Sequence, residues 1–411
     1  MTESFDVAIV GGGIAGSALA TVLARAGKHV LVLEKTLNYR DMVRGEWIAP
    51  WGVVEAQRTG LYEVLAVASN HHITYHAEFG DGIDPSEGDA RKLNLAAFLP
   101  GVPGPLSIGH PQACQVLWEA AVAAGATALR GVDDVAVKPG ASPEVTYEVA
   151  GESHTARCRL IVGADGRGSA VRRQAGMPLV QEAQHHFFAG LLVDGADEWP
   201  EDLQTMGTEG DVQFLAFPQG AGRVRLYLGY SMDQKGRFAG EGNEQRFLEA
   251  FRLRTLPHSE ALAAATPAGP CGSIPNQSTL VESPVAPGLV LVGDAAGYND
   301  PIIGQGLSIS LRDVRTVGEA LLSGEAWTPG LFAPYVTERA ERMRRLSFAA
   351  RHDSLLHVEF GPEATARKPR FAQRQAADPS FGLARAAVML GPELFPPEVF
   401  SDAEWERLAA L

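Results

Sequence analysis

Apolar and polar positions first divide the chain into a strand, a glycine-rich turn and a helix. Phe5 to Val10 is a short, mostly apolar, β-prone run, which predicts a buried parallel strand. After Gly11 to Gly16, the residues Leu19, Val22 and Leu23 keep helical spacing, and Gly27 marks a stop. His29 to Leu33 predicts a second buried strand, ending at Glu34. Further apolar runs at Arg159 to Val162 and Leu289 to Val292 also lead into glycine-rich loops, and a helix is expected over Leu307 to Leu322. Helices are predicted over Val53 to Val67, Gln112 to Ala124 and Glu244 to Thr255. Short strands are expected at 127–129, 132–137, 145–149 and 154–157.

Two excursions break this alternation. His72 to Phe79 alternates like a strand and is followed by a turn-rich, charged stretch and a proline- and glycine-rich loop. From about Met177 to Cys271, Phe187 to Val193, Asp211 to Phe217 and Arg223 to Tyr230 read as antiparallel strands. The tail from Pro329 to Leu411 is helical. The chain is therefore expected to be α/β. One discontinuous domain comprises 1–70, 111–176 and 272–328, a mixed β-sheet domain 71–110 and 177–271, and a helical cap 329–411.

The first turn carries chemistry. Glycine at 11, 13 and 16 satisfies G-x-G-x-x-G between a strand and a helix, the setting in which the pattern predicts dinucleotide binding. Gly11 allows the tight turn, Gly13 lets a pyrophosphate approach the backbone, and Gly16 lets helix and strand pack closely. The helix N-terminus offers unpaired N–H groups and a positive dipole end. Glu34 lies where an acid can accept hydrogen bonds from a ribose; its charge would repel a 2′-phosphate, favouring FAD or NAD over NADP.

Composition narrows the remaining classes. Over 411 residues, 45% are hydrophobic and 20% charged, and the net charge of −14 argues against nucleic acid as a partner. No basic-then-apolar leader and no membrane-length apolar run is seen, and a cytoplasmic location without a membrane partner is expected. Cys114, Cys158 and Cys271 are too scattered for a disulfide framework or a zinc cluster. His71, His72 and His76 are close in sequence without evident metal partners, so no metal site is expected.

Other residues stand out near the loops. Arg44 can reach a pyrophosphate or be a solvated loop residue, and Trp47 and Trp51 can cover a flat ring or be core. Phe188, Phe214, Phe217 and Tyr227, with Tyr298, are candidates for an aromatic substrate pocket.

Three loops in this order, G-x-G-x-x-G with Glu34, Asp165-Gly166 and Gly293-Asp294, resemble the fingerprints of the single-component class A flavin monooxygenases, the p-hydroxybenzoate hydroxylase-like family. The resemblance implies a glutathione-reductase-type Rossmann domain binding FAD, with an inserted mixed sheet for substrate. It implies that Gly11, Gly13, Ile14, Ala15, Gly16, Glu34, Lys35, Arg44, His110 and Val135 serve the cofactor. Asp165, with Ser169 and Arg172, shapes the second loop, which the resemblance has serving both FAD and the nicotinamide donor, so Asp165 is a cofactor-binding candidate. Asp294 holds the ribityl chain, Gly304, Gln305 and Gly306 lie along the pyrimidine edge, and Pro301 falls near the reactive C4a carbon.

That implied chemistry is oxygen insertion. NADH or NADPH, bound transiently, or a separate flavin reductase would supply electrons. O2 would form a flavin C4a-hydroperoxide, and an aromatic or polyketide-like small molecule would be oxidised. The family pattern is broken at Gly297, usually histidine, at Asp300, usually proline, and at His110, commonly arginine or glutamine. Asp300 can protonate an intermediate or cap the following turn; His110 can contact flavin or cap a helix. Gly293 to Gly297 and Arg44-Gly45-Glu46 also resemble geranylgeranyl-type reductases and flavin halogenases. An FAD-dependent alkene reductase is therefore the alternative. Halogenation is disfavoured because no lysine lies between Lys35 and Lys92 and no W-x-W-x-I-P stretch occurs. A FAD-bound scaffold without turnover is the non-enzymatic alternative.

Overall fold

The computed structural model describes residues 3–43, 45–324 and 326–411. In chain order, the strands that shape the site are β1 (Val7–Val10), β2 (Val30–Glu34), β3 (Tyr75–Gly80), β4 (Thr127–Arg130), β5 (Leu160–Gly163), β6 (His186–Asp194), β7 (Leu203–Glu209), β8 (Val212–Gly220), β9 (Arg223–Ser231) and β10 (Leu289–Leu291). The main helices are α1 (Ile14–Arg25), α2 (His110–Ala123), α3 (Gly306–Ser323), α4 (Ala333–His357) and α5 (Pro362–Ala377).

One sheet has the order Val285–Ala286, β10, β5, β1, β2, β4, and is parallel apart from its first strand. Val10 pairs with both Leu33 and Gly163, and Gly163 pairs with Leu291. All three glycine-rich loops therefore leave from neighbouring carboxyl ends at one level, the place where open α/β sheets bind ligands. The central strands β1, β5 and β10, and β2 up to Glu34, are wholly apolar because both faces are covered, whereas the edge strand β4 is half-buried and carries Thr127 and Arg130. Leu19, Leu23, Leu117, Val314 and Val317 of the helices pack on one side, and Val145 and Tyr147 of a small antiparallel sheet lie in the core on the other.

A second sheet runs Thr266–Pro267, β6, β9, β8, β7, β3, Leu93–Asn94, with Gly272–Asn276 also paired to β6. It is mixed, since β3 and β7 are parallel while the other pairs are antiparallel. Period-two alternation gives it two faces. Phe187, Ala189, Phe214, Ala216, Leu226 and Leu228 join the core with Phe247 and Leu262 of the helices Asn243–Glu249 and Ser259–Ala264. Phe188, Leu215, Phe217 and Tyr227 belong to the opposite face. The tail is helical, as expected, and no helix among the described residues is long and apolar enough to cross a membrane.

Four local expectations change. The helix expected over Val53 to Val67 is two, Pro50–Arg58 and Tyr62–Ala68, broken where Gly60 adopts φ +67°. The helix expected over Glu244 to Thr255 regularises only at Asn243–Glu249. The charged stretch after Gly80 holds a short helix, Pro85–Ala90, capped by Asp84. Strand β7, LQTMGTE, was not expected because it is polar in composition, yet all but its last residue are buried inside the sheet.

Candidate active site

One cavity of about 2310 Å³ joins the loop ends of the parallel sheet to the inner face of the mixed sheet. A single small-molecule site occupies roughly 300–1,000 Å³, so this space is large enough for two ligands. Gly11, Gly13, Ile14, Ala15, Glu34, Lys35, His110, Val135, Asp165, Asp294, Pro301, Gly304, Gln305 and Gly306 all border it. Arg44 lies outside the described residues.

In the first loop each glycine has a separate steric reason. Gly11 sits at φ +103°, and a Cβ there would overlap the Ala164 carbonyl of the neighbouring loop. Gly16 does not border the cavity; a Cβ on it would overlap the Gly11 carbonyl, so it permits helix and strand to touch. Gly13 differs: a Cβ would meet no atom within 4 Å. Gly13 is also the N-cap of α1 and makes no side-chain cap, so the first N–H groups of that helix face the cavity. Glu34 accepts from Gly12 N–H at 2.6 Å and Thr36 N–H at 2.7 Å, which fixes its carboxylate beside the cavity.

The third loop repeats that open design. Helix α3 starts at Gly306 with no side-chain cap, and a Cβ at Gly306 would again meet nothing within 4 Å. The loop before it is held from behind. Asp313 accepts the Gly293 N–H at 2.8 Å and pairs with Arg339 at 3.1 Å and Arg342 at 2.7 Å. Arg339 also donates to the carbonyls of Gly293, Ala296 and Gly297. Burial alone would raise the Asp313 pKa, but the two guanidiniums hold it below the usual carboxylate range. These three braces were missed in the sequence because the run around Arg339 reads as a solvated charged helix.

The second loop is closed. Asp165 accepts from Ser169 Oγ at 2.5 Å, Ala170 N–H at 2.7 Å and Val171 N–H at 3.1 Å, while Ser169 accepts the Arg172 N–H. Its acid therefore caps the short helix Ala170–Gln174. From this loop Arg167 reaches across to pair with Asp294 at 3.3 Å, and its guanidinium stacks 4.3 Å from the Tyr298 ring centre. His110 opens α2 and has Cys114 Sγ 3.5 Å from its Nε2.

The expected pocket residues separate by face. Trp47, Phe188, Phe217, Tyr227 and Tyr298 border the cavity, whereas Phe214 does not. Phe214 is three residues from Phe217 on one strand, so the two point to opposite sides, and Phe214 is fully buried in the other core. Leu215 takes its place at the wall. Trp47 packs against Gly304, where an added Cβ would come within 3.2 Å of the ring, but Trp51 is core and donates to Gln305 Oε1 at 2.7 Å.

Asp300 takes up the turn-capping alternative. It is 1% exposed, does not border the cavity, and accepts the Ile302 N–H at 2.9 Å, capping the turn Pro301–Ile303. Its other oxygen meets His185 Nε2 at 3.0 Å, and this hydrogen bond raises the His185 pKa. His185, His186 and Asp300 bring three candidate metal ligands within 4.8 Å of one another, but the same atoms already bond each other and Asn276. A further buried group ties the loop around Glu46 to the mixed sheet. Arg225, fully buried, pairs with Asp41 at 2.6 Å and with Glu46, whose pKa burial pushes up.

A family model described as FAD binding domain matches residues 4–350. Squalene epoxidase 1 of Arabidopsis thaliana is 26% identical over 318 residues, 75% of this chain and 58% of that protein, so the chain spans under two thirds of the relative's length. Menaquinone reductase of Mycolicibacterium smegmatis is 27% identical over 89% of this chain and 88% of its own. 3-Hydroxybenzoate 6-hydroxylase of Klebsiella oxytoca is 26% identical over 89% and 92%. Among solved structures, the flavin-dependent brominase Bmp2 superposes with a TM-score of 0.76 at 19% identity, covering 99% of this chain and 100% of that one. At that identity the likeness is one of fold.

Proposed function

The chain belongs to the family described as FAD binding domain, and from that premise we propose that it is an FAD-dependent monooxygenase acting on an aromatic or polyketide-like molecule. The observation that carries this reading is the single cavity: two uncapped helix N-termini open into it from one side and an aromatic sheet face from the other.

The residues present fit FAD. Gly13 leaves space where the first turn of α1 exposes its N–H groups, which suits a pyrophosphate. Glu34, already oriented by two backbone donors, keeps lone pairs for a ribose. Asp294, steadied by Arg167, is the candidate for the ribityl chain. The N-terminus of α3 at Gly306 favours negative charge at the pyrimidine edge, and Pro301 borders the same space.

Bound FAD would supply the electron transfer and oxygen activation, with electrons from NADH, NADPH or a separate reductase. The chain's own work is to bind, orient and exclude water. Trp47 against Gly304, with Phe188, Phe217 and Tyr227 opposite, forms an apolar chamber that holds a flat substrate and keeps solvent from the reaction. Asp300 is a brace for the turn at Pro301 and donates no proton to the cavity. The epoxidase and hydroxylase relatives support oxygen transfer.

A second reading, reduction of an alkene or quinone-bearing molecule, is favoured by the near full-length match to a menaquinone reductase. Labelled oxygen separates the two. With purified FAD-loaded protein, NAD(P)H, a reductase and a substrate panel under ¹⁸O₂, the monooxygenase puts label in product and stops anaerobically. Turnover that continues without O2 assigns the reductase instead, and a protein that binds no FAD removes both.

A further inference from the structure

The chamber beside Gly304 is walled by Phe188, Met206, Leu215 and Phe217, and the polar side chains that border the same cavity include His76 and its neighbour Gln204. His76 is on β3, whose alternate residues Tyr75, Ala77 and Phe79 pack into the opposite core. Its cross-strand partner is Gln204 on β7. Trp47 Nε1 donates to Gln204 Oε1 at 2.7 Å, and Gln204 Nε2 lies 3.3 Å from His76 Nδ1.

These contacts fix the polarity of the row. An indole N–H only donates, so the amide oxygen of Gln204 must face Trp47 and its NH2 must face His76. An amide NH2 also only donates, so His76 Nδ1 must offer a lone pair. A neutral ring then carries its proton on Nε2. Burial pushes the His76 pKa down to about 4, against the opposing pull of Glu78, so the ring stays neutral through ordinary pH. Among the described residues Nε2 has no hydrogen-bond partner, and the residue borders the cavity.

We propose that His76 determines substrate specificity by donating from Nε2–H to a ketone, quinone or phenol oxygen of an uncharged, otherwise apolar ring compound in the chamber. Charge excludes the obvious competitor, a carboxylate. Glu78 sits two residues along the same face of β3; of the nearby cations, Arg385 is committed to Asp353 at 2.7 Å, and Lys368 faces Glu78 with its pKa drawn down to about 8 by burial. A neutral donor beside an acid selects a neutral acceptor. The Trp47–Gln204 pair acts through His76 and is a positioning device: it sets which ring nitrogen carries the proton.

The proposal rests on FAD and substrate sharing this cavity, and its test reads binding and protonation instead of turnover. Calorimetry on FAD-loaded protein with 2-acetylnaphthalene and 2-ethylnaphthalene compares the same rings with and without a ketone oxygen. The ketone is expected to bind about tenfold more tightly, the size of one hydrogen bond in a dry site. His76→Phe should erase that preference while leaving the hydrocarbon's affinity within about twofold. Long-range ¹H–¹⁵N spectra should show His76 as the neutral Nε2–H tautomer between about pH 5 and 8, and Gln204→Leu should bring in the second tautomer. A preference that survives His76→Phe, equal binding of the two probes, binding of neither, or an Nδ1–H or cationic ring in the native protein overturns the proposal. Failure to bind FAD or to incorporate oxygen would instead strike the functional reading, so the two failures are distinct.

Discussion

Two of the three strand–loop–helix turns around the cavity are open and one is closed. At Gly13 and Gly306 the helix begins with no side-chain cap and with room where a Cβ would be. At Ala170 the same architecture is filled by its own acid and hydroxyl. A turn that must offer its N–H groups to a ligand cannot satisfy them itself, so it has to be held from behind. A turn that caps itself needs no such support. The first open turn is held by glycine packing at Gly16, the other by the buried group Asp313–Arg339–Arg342.

Breaking the rear support should therefore cost most. Arg339→Met strands the fully buried Asp313 with one cation fewer and removes three donors to the 293–297 carbonyls. A loss of about 3–5 kcal/mol is expected, read by urea unfolding. The sign with pH follows from Asp313 being held low in the fold. Its contribution is present above the unfolded pKa of about 3.9 and is lost as pH falls through the depressed folded value. With Arg339 gone that value rises, so acid unfolding should begin at higher pH. An unchanged acid limit would show that Arg342 alone suffices.

The glycines sharpen the contrast between support and cradle. Gly16→Ala pushes a methyl into the Gly11 carbonyl and should destabilise by about 1–3 kcal/mol. Gly13→Ala meets no protein atom and should cost less than about 1 kcal/mol. Yet Gly13→Ala is the variant expected to lose the yellow cofactor while remaining folded. Thermal melts paired with flavin absorbance after gel filtration check both. A Gly13→Ala protein that keeps FAD would mean the pyrophosphate lies elsewhere.

The ladder of strands and the three loops were readable because buried parallel strands are continuous apolar runs and glycine marks close approach. What was not readable depends on facing partners. Phe214 and Phe217 look alike in sequence, and only the period-two parity of their strand sends one to the core and the other to the cavity. Strand β7 hides in a polar string because its Gln and Thr side chains are satisfied by neighbours such as Trp47 and the Ala77 carbonyl. Asp300 looked like an acid beside flavin because the histidines that engage it, His185 and His186, sit on a distant strand and the turn before it. His76 was visible, but its role needed the amide between it and Trp47.

The closed turn gives a smaller effect. Asp165→Ala removes three hydrogen bonds at the start of the 170–174 helix. A capping loss of about 1–2 kcal/mol is expected, with FAD retained at normal affinity because the carboxylate is spent within its own turn. Loss of FAD without loss of stability would reverse that assignment and make the second turn a ligand contact.

The smallest effect is at His185 and Asp300, where it decides what Asp300 does. The hydrogen bond to Asp300 raises the His185 pKa, with Glu182 adding to it and burial opposing. A raised folded value means the pair stabilises fully below the unfolded histidine pKa of about 6.5 and that this is lost as pH rises through the folded value. His186, pushed down to about 4 by burial, acts only on the acid side, so the measurement belongs above neutrality. Because His185 is 35% exposed, solvent screening should keep the effect under about 1 kcal/mol. Asp300→Asn should flatten the alkaline decline in stability and leave product formation intact, since the carboxylate faces the histidines and the Ile302 N–H, away from the cavity. If turnover collapses while the stability profile stays the same, Asp300 is an acid in the reaction after all.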